Sequence, residues 1–311
     1  MLRLAPCDLT EGSPVTFLEA QYVRDGVGGY GVRVAYCLAD GTTNYAWEPH
    51  LALEPVDVPL RGPIAHNAPG EFRSAVFELG DDGITIDIAF TAGGHNLVWR
   101  VRQPRPWKGF DFLAPPAAAI AEPTSLFFPY MHQFSFVPQP MDFAAAYDGQ
   151  PLVPKKLPFL WGGRRALSVK AARGNTVVKL LPDGVNAACE GEDVDERGRL
   201  SSLREGGIEL SFSPALPSVG ELRELGAGNC GWSLSVEDDH AMSGTVAFAP
   251  GGKMAWTVER SWTGVKQHGA AWVLTRIIPF LTRWPRHYSW SGCIADDGTI
   301  HGTWTNDKPK K

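Results

Sequence analysis

The sequence has no long hydrophobic run and few cysteines. No segment approaches the roughly 18 consecutive apolar residues that a membrane-spanning helix requires. The N-terminus carries Asp8 and Glu11 and lacks an apolar stretch of signal-peptide length. Cysteine is scattered without any C-x-x-C pair, which favours buried free thiols in a reducing compartment over a disulfide framework; the positions are Cys7, Cys37, Cys189, Cys230 and Cys293. We therefore expect a cytoplasmic protein without an integral membrane segment.

The short motifs of several enzyme classes are also missing. The chain contains no phosphate-binding G-x-x-x-x-G-K-[ST] loop and no dinucleotide fingerprint after a strand. It has no G-x-S-x-G elbow, and no two of its eight histidines have H-x-H or H-x-x-x-H spacing. The net charge of −5, without clustered Lys and Arg, argues against a nucleic-acid partner. We expect neither a cofactor nor a metal site.

Turn signals and alternating segments are abundant. Between the turns, segments such as 32–36, 84–88 and 256–260 alternate apolar and polar residues, as strands do. Gly and Pro, with 34 and 25 copies, break most helical candidates. Asp-Gly suits tight hairpins because both central residues of a type I′ turn need positive φ; the six copies stand at 25–26, 40–41, 82–83, 148–149, 183–184 and 297–298. The chain is therefore predicted to be all-β and antiparallel.

Two segments allow alternative interpretations. Ala270–Trp284 is dense in apolar residues but carries Pro279, so a strand broken at the proline is at least as well supported as a helix. Glu190–Glu196 is acidic but lacks the Gly and Glu spacing of a calcium loop. We expect this acidic run to form a solvated hairpin tip.

The proline-rich region 104–140 is expected to divide the chain. Its many aromatic residues are unlike a disordered linker, so we interpret it as an ordered crossover packed on apolar surface. The crossover joins an N-terminal β domain, 1–115, to a C-terminal β domain, 116–311. The 11 tryptophans either pack in the cores of these sheets or line an apolar pocket.

The segment Met141–Arg165 comprises a strand, an Asp-Gly hairpin, a proline-containing return and the run WGGRR. This arrangement resembles the seam of the lipocalin-like double-barrel superfamily that includes carotenoid hydratases, tocopherol cyclases and Diels–Alderases. In that family, a strand and hairpin lead into a motif of ionisable residues followed by Trp-Gly, which faces the ligand cavity. Trp161, Gly162 and Arg164 match the second half of the motif, whereas Phe159-Leu160 replace the ionisable half.

The resemblance implies two lipocalin-like (calycin) β-barrel or sandwich units and a cyclase acting on a hydrophobic polyene, isoprenoid or polyketide-type molecule. Loss of the ionisable pair favours a pericyclic, conformation-controlled reaction, which needs shape more than an acid. One alternative is a hydratase or proton-initiated cyclase with a substitute acid elsewhere in the pocket. Carboxylates such as Asp87, Asp142 and Glu209 could supply that acid if their side chains face a lumen. Two others are a non-catalytic carrier of a hydrophobic metabolite and a carbohydrate-active β-sandwich. The oligomeric state is not predicted.

The candidate site residues come from two stretches. If 128–136 is a strand, Tyr130, His132 and Phe134 share one face. His132 is then either a core histidine bonded to a backbone carbonyl or a pocket acid–base group. The glycines after Trp161 form either a bulge beside a core tryptophan or a turn that presents it to a ligand, with Arg164 or Arg165 binding a carbonyl or carboxylate. The expected catalytic residues are His132 and Arg164, and the expected ligand-binding residues are Tyr130, Gln133, Phe134, Trp161 and Gly162.

Overall fold

The computed structural model confirms a mostly β, largely antiparallel chain. It describes residues 3–56, 60–105, 109–113, 128–137, 141–161, 164–167, 169–172, 174–178, 180–181, 184–185, 191–205, 208–236, 239–260, 287–298 and 300–307. The chain forms two compact units, Met1–Gly109 with Gln133–Asn175 and Phe110–His132 with Thr176–Lys311. The division expected at residue 115 stays a prediction.

The described part of the chain has 26 strands and one short helix. The first strands are β1 (Arg3–Asp8), β2 (Val15–Arg24), β3 (Tyr30–Leu38), β4 (Thr43–Trp47), β5 (Ile64–Pro69), β6 (Glu71–Gly80), β7 (Gly83–Ala92), β8 (His95–Gln103), β9 (Phe110–Leu113), β10 (Phe128–Phe136), β11 (Asp142–Tyr147), β12 (Gln150–Pro151), β13 (Lys156–Trp161), β14 (Arg164–Leu167), β15 (Lys170–Ala171) and β16 (Gly174–Val178). The remaining elements are β17 (Leu180–Leu181), β18 (Gly184–Val185), β19 (Gly191–Val194), β20 (Leu200–Glu205), β21 (Ile208–Leu216), α1 (Val219–Glu224), β22 (Gly228–Val236), β23 (Asp239–Ala249), β24 (Lys253–Arg260), β25 (His287–Ile294) and β26 (Ile300–Asp307).

The first unit contains two five-stranded sheets. The first sheet has the order β1-β2-β3-β4-β5, and the second has the order β12-β11-β8-β7-β6. Alternate residues of the first sheet, such as Val34 and Tyr36, share one apolar core with Ile86, Ile88 and Trp99 of the second. The two sheets therefore pack face to face, and we call the surfaces that meet in this core their inner faces.

The two sheets also approach each other at their edges. Gly70 joins β5 to β6, and its N–H donates to the Trp47 carbonyl at 2.9 Å. At the other edge, Thr10 N–H donates to Val153 O at 2.9 Å, and Lys155 N–H donates to Asp8 O at 2.8 Å. Within the ranges given above, no sheet closes into a complete barrel.

The outer face of the first sheet is covered by its own chain. Tyr45 and Trp47 alternate with Ala46 of the inner core, and they form a separate buried cluster with Leu51. This cluster lies beneath the segment that connects β4 to β5. These two strands pair in parallel, so the connection has to cross the sheet, and it contributes the apolar cover of that face.

The second unit contains an eight-stranded antiparallel sheet in which β19 to β26 follow one another in chain order. Its core includes Trp232, Trp256 and Trp290, so these three tryptophans pack in the interior of the unit. The rings of Trp232 and Trp256 have centroids 5.6 Å apart. Gly244 faces Trp232, and a Cβ there would collide with the Thr257 carbonyl, so the absence of a side chain makes room for the ring.

Asp-Gly pairs mark hairpins as expected. Asp25, Asp40, Asp82, Asp148 and Asp297 each lie in the connection between two antiparallel strands. Both residues have positive φ at 148–149, where φ is 48° and 77°, as a type I′ turn requires. The sixth dipeptide is only partly described, with Gly184 in β18.

The remaining expectations have mixed outcomes. The acidic run is a hairpin tip only in part: Gly191–Val194 form β19, and Asp195 and Glu196 begin the exposed turn that leads to β20. Ala270–Trp284 lies outside the described residues. Among the described residues, Cys7, Cys37 and Cys230 are buried cysteines outside any disulfide, whereas Cys293 is exposed. Cys189 also falls outside the ranges described.

Candidate functional site

The residues predicted around β10 lie on both sides of the division between the units. Tyr130 and His132 belong to the second unit, whereas Gln133 and Phe134 belong to the first. Gln133 has a φ of 48°, so the backbone leaves the extended conformation within the strand. The strict alternation that would place Tyr130, His132 and Phe134 on one face is therefore interrupted, and their role in a site stays a prediction.

The Trp-Gly-Gly-Arg stretch forms the end of a strand pair. Trp161 and Arg164 are register partners across β13 and β14. Gly162, between them, lies outside the described residues. The backbone thus brings Trp161 and Arg164 opposite each other, and their contact with a ligand remains a prediction.

The three carboxylates considered as substitute acids do not face a core. Asp87 alternates with buried Ile86 and Ile88 and pairs with Arg100 on the exposed surface, 3.1 Å away. Glu209 lies between buried Ile208 and Leu210 on the outward side of its strand. Asp142 is likewise exposed. The hypothesis that any of these carboxylates supplies a desolvated acid is wrong, because alternation directs them to water.

A different polar group lies inside the first unit. Tyr36 of β3 pairs with Asn44 of β4, and Asn44 pairs with His66 of β5. Tyr36 belongs to the inner core, and Asn44 alternates with Thr43 and Tyr45 of the outer face. The three residues therefore form one row across the inner face of the first sheet.

Aromatic rings of the second sheet lie opposite this row. The Tyr36 ring centroid is 6.0 Å from that of Phe90 and 6.1 Å from that of Tyr147. Phe90 stacks on Phe72 with 4.9 Å between centroids. His66 lies beside the turn between β7 and β8, where a Cβ on Gly93 would be 3.5 Å from the imidazole. One end of the inner core therefore combines aromatic walls with polar side chains.

Three buried nitrogens of the inner core have no hydrogen-bond partner among the described residues. They are Asn44 Nδ2, His66 Nε2 and Trp99 Nε1. Asn44 is only 5% exposed and Trp99 is fully buried. Native proteins pair nearly all buried polar groups, and a group without a protein partner commonly binds a water or a ligand atom. These nitrogens therefore indicate where a polar atom of a bound molecule can be held.

The hairpin at Asp148 forms an exposed rim at the same end. Asp148 Oδ1 accepts a hydrogen bond from Asn96 N–H at 2.8 Å, and its Oδ2 lies 2.7 Å from His95 Nδ1. The Asn96 N–H, followed by His95, holds the pKa of Asp148 below its ordinary value. The imidazole of His95 stacks on Tyr147 at 5.3 Å. The hairpin is thus tied to the start of β8 and positions Tyr147.

The electrostatics of the row favour neutral hydrogen-bond donors. Burial, followed by Tyr147, raises the pKa of Tyr36. Its phenol is therefore protonated at neutral pH and can donate, like the Asn44 amide. No group of three or more His, Cys, Asp or Glu side chains is arranged to hold a metal in the described part of the chain. Tyr36 and Asn44 are therefore hydrogen-bond donors among apolar and aromatic side chains.

Sequence reasoning missed Tyr36, Asn44 and His66. The burial of all five positions of 43–47, including Thr43 and Asn44, is evident only from the structure. An amide on a strand that is buried on both faces costs free energy unless it has a hydrogen-bond partner.

The described residues contain no helix that is long and apolar enough to cross a membrane. No known protein family, curated protein or solved structure matches this chain.

Proposed function

We propose that this protein is an enzyme that binds a hydrophobic polyene, isoprenoid or polyketide-type molecule inside its first unit and cyclises it. The proposal includes a lipocalin-like arrangement of both units, as the resemblance at Trp161 and Gly162 implies. One observation carries the proposal: Asn44 Nδ2 and His66 Nε2 are buried without a partner among the described residues, on the inner face beside an apolar core that includes aromatic rings. Apolar walls with a few convergent polar groups are typical of small-molecule sites.

The site residues suggest a division of labour. Asn44 and His66 hold an oxygen of the ligand at one end, and the protonated Tyr36 phenol is a further donor. Phe72, Phe90 and Tyr147 limit the conformations of the attached carbon chain. Holding two reacting carbons in contact accelerates ring closure without an acid, since the entropy of bringing them together is lost on binding.

The first test is native mass spectrometry of freshly purified protein, followed by solvent extraction and incubation of the extracted compound with the protein. A pericyclic cyclase converts the compound to a product of equal mass. A hydratase adds the mass of one water, and a carrier returns the compound unchanged. Either of the last two results rejects cyclisation.

The second test compares ligand affinity in wild type, Asn44→Leu and Asn67→Leu. A hydrogen bond contributes about 0.5–1.5 kcal/mol, so Asn44→Leu should bind the extracted compound up to roughly tenfold more weakly. Asn67 is a matched control, because its amide is already bonded to Val56 of the connection between β4 and β5, at 2.7 and 3.2 Å. Unchanged affinity in Asn44→Leu would remove the inner row from the site.

A further inference from the structure

A second polar group lies on the outer face of the first sheet, away from the inner row. Gln21 Nε2 donates to Glu19 Oε1, and Arg33 Nε donates to Gln21 Oε1, each at 2.5 Å. Glu19 is 6% exposed and Gln21 is 3% exposed, whereas Arg33 is half-buried. The register pairs Gln21 with Arg33, so the two strands position this chain of contacts.

The hydrogen bond to Gln21 orients the guanidinium of Arg33 and does not use its Nη1 and Nη2 groups. Arg33 Nε is bonded to Gln21, which prevents free rotation of the planar group. Among the described residues, Arg33 donates a side-chain hydrogen bond through Nε to Gln21 and none through Nη1 or Nη2. Two parallel N–H groups in a fixed plane match the two oxygens of a carboxylate.

The surroundings of Arg33 strengthen an electrostatic contact. Trp47 is its register partner on β4, and Tyr45 is the next residue of that strand on the same face. Burial lowers the pKa of Arg33, while Tyr45 and Glu19 oppose this effect. A guanidinium that has lost part of its water gains more from an anionic partner than an exposed one does.

The cover of this face is held in place by side chains of the sheet. Asp25 Oδ2 accepts from Ala52 N–H at 2.9 Å, and Tyr45 OH accepts from Leu60 N–H at 3.0 Å. Asn67 bonds both backbone groups of Val56. The described parts of the connection are therefore ordered over the cluster, and Arg33 beside them is half-buried.

We propose that the Nη edge of Arg33 binds a carboxylate group of a small molecule on the outer face of the first sheet. The carboxylate oxygens accept one hydrogen bond from each Nη group, and the Gln21 contact preserves the orientation of the fork. This site is independent of the inner row and of the cyclase proposal.

The test is isothermal titration of the full chain with sodium acetate, sodium benzoate and sodium phosphate at constant ionic strength, which holds screening fixed. We expect saturable binding of acetate and benzoate by wild type and at least tenfold weaker binding by Arg33→Met. Arg33→Lys keeps the charge but loses the fork, so we expect a similar loss. If Arg33→Met does not fold, the comparison of Arg33→Lys with wild type tests the site.

Arg102→Met is the matched control, since Arg102 is an exposed arginine on β8 of the same unit. It should bind both carboxylates like wild type. Absence of saturable carboxylate binding by wild type overturns the site, as does equal binding by wild type and Arg33→Lys. Tighter binding of phosphate than of either carboxylate overturns the assigned ligand class.

Discussion

Replacing Asn44 by leucine should stabilise the ligand-free protein. An unsatisfied buried polar group costs about 1–3 kcal/mol, and leucine has a similar size without a donor. Asn44 Nδ2 has no partner among the described residues, and its neighbours in the inner core are largely apolar. We therefore expect the free energy of unfolding to rise by about 1–2 kcal/mol. For a unit of this size, each kcal/mol raises Tm by roughly 2–4 °C.

The assay is urea denaturation of protein from which bound compounds have been extracted, repeated with the ligand added back. Without ligand, Asn44→Leu should unfold at higher urea than wild type. With ligand, wild type should gain stability as RT ln(1 + [L]/Kd), and the variant, with its higher Kd, should gain less. A substitution that raises stability while lowering affinity is the pattern expected of a binding residue.

Asn67→Leu gives the opposite expectation in the same assay. Its amide forms two hydrogen bonds with Val56, so its loss should lower stability by about 1–3 kcal/mol. If Asn44→Leu is destabilised as much as Asn67→Leu, the Asn44 amide is structurally satisfied. The inference of a ligand-binding row then fails.

Two further predictions concern a glycine and a titrating pair. Gly244→Ala should lower the free energy of unfolding of the second unit by roughly 1–3 kcal/mol, because its Cβ would collide with Thr257 O. Gly226 has open space around a Cβ, so the control Gly226→Ala should leave Tm unchanged. The pKa of Asp148 is lowered in the folded protein. The contribution of this carboxylate to folding stability is therefore complete above the ordinary Asp pKa and is lost as pH falls through the lowered folded value. Asp148→Asn should therefore be less stable at neutral pH and show a flatter acid limb in pH-dependent urea titrations; an unchanged acid limb would contradict the prediction.

Local sequence determined the strands and several turns. Alternation at 84–88 and 32–36 is reproduced as strands with one inner face, because a pleated strand directs successive side chains to opposite sides. Asp148-Gly149 forms a hairpin with both φ values positive, a conformation that few other residue pairs adopt readily. These features depend on neighbouring residues only, so they can be predicted without knowing the fold.

Tertiary structure alone decided which polar residues meet. His66 reaches Asn44 through the parallel pairing of β4 and β5, whose register depends on the path of the long connection between them and on packing against the second sheet. The same packing leaves the Asn44 amide without a partner among the described residues and directs Asp87 to solvent. Sequence periodicity assigns residues to faces, but it contains no information on which distant strands become neighbours, because that choice depends on the summed packing of both sheets.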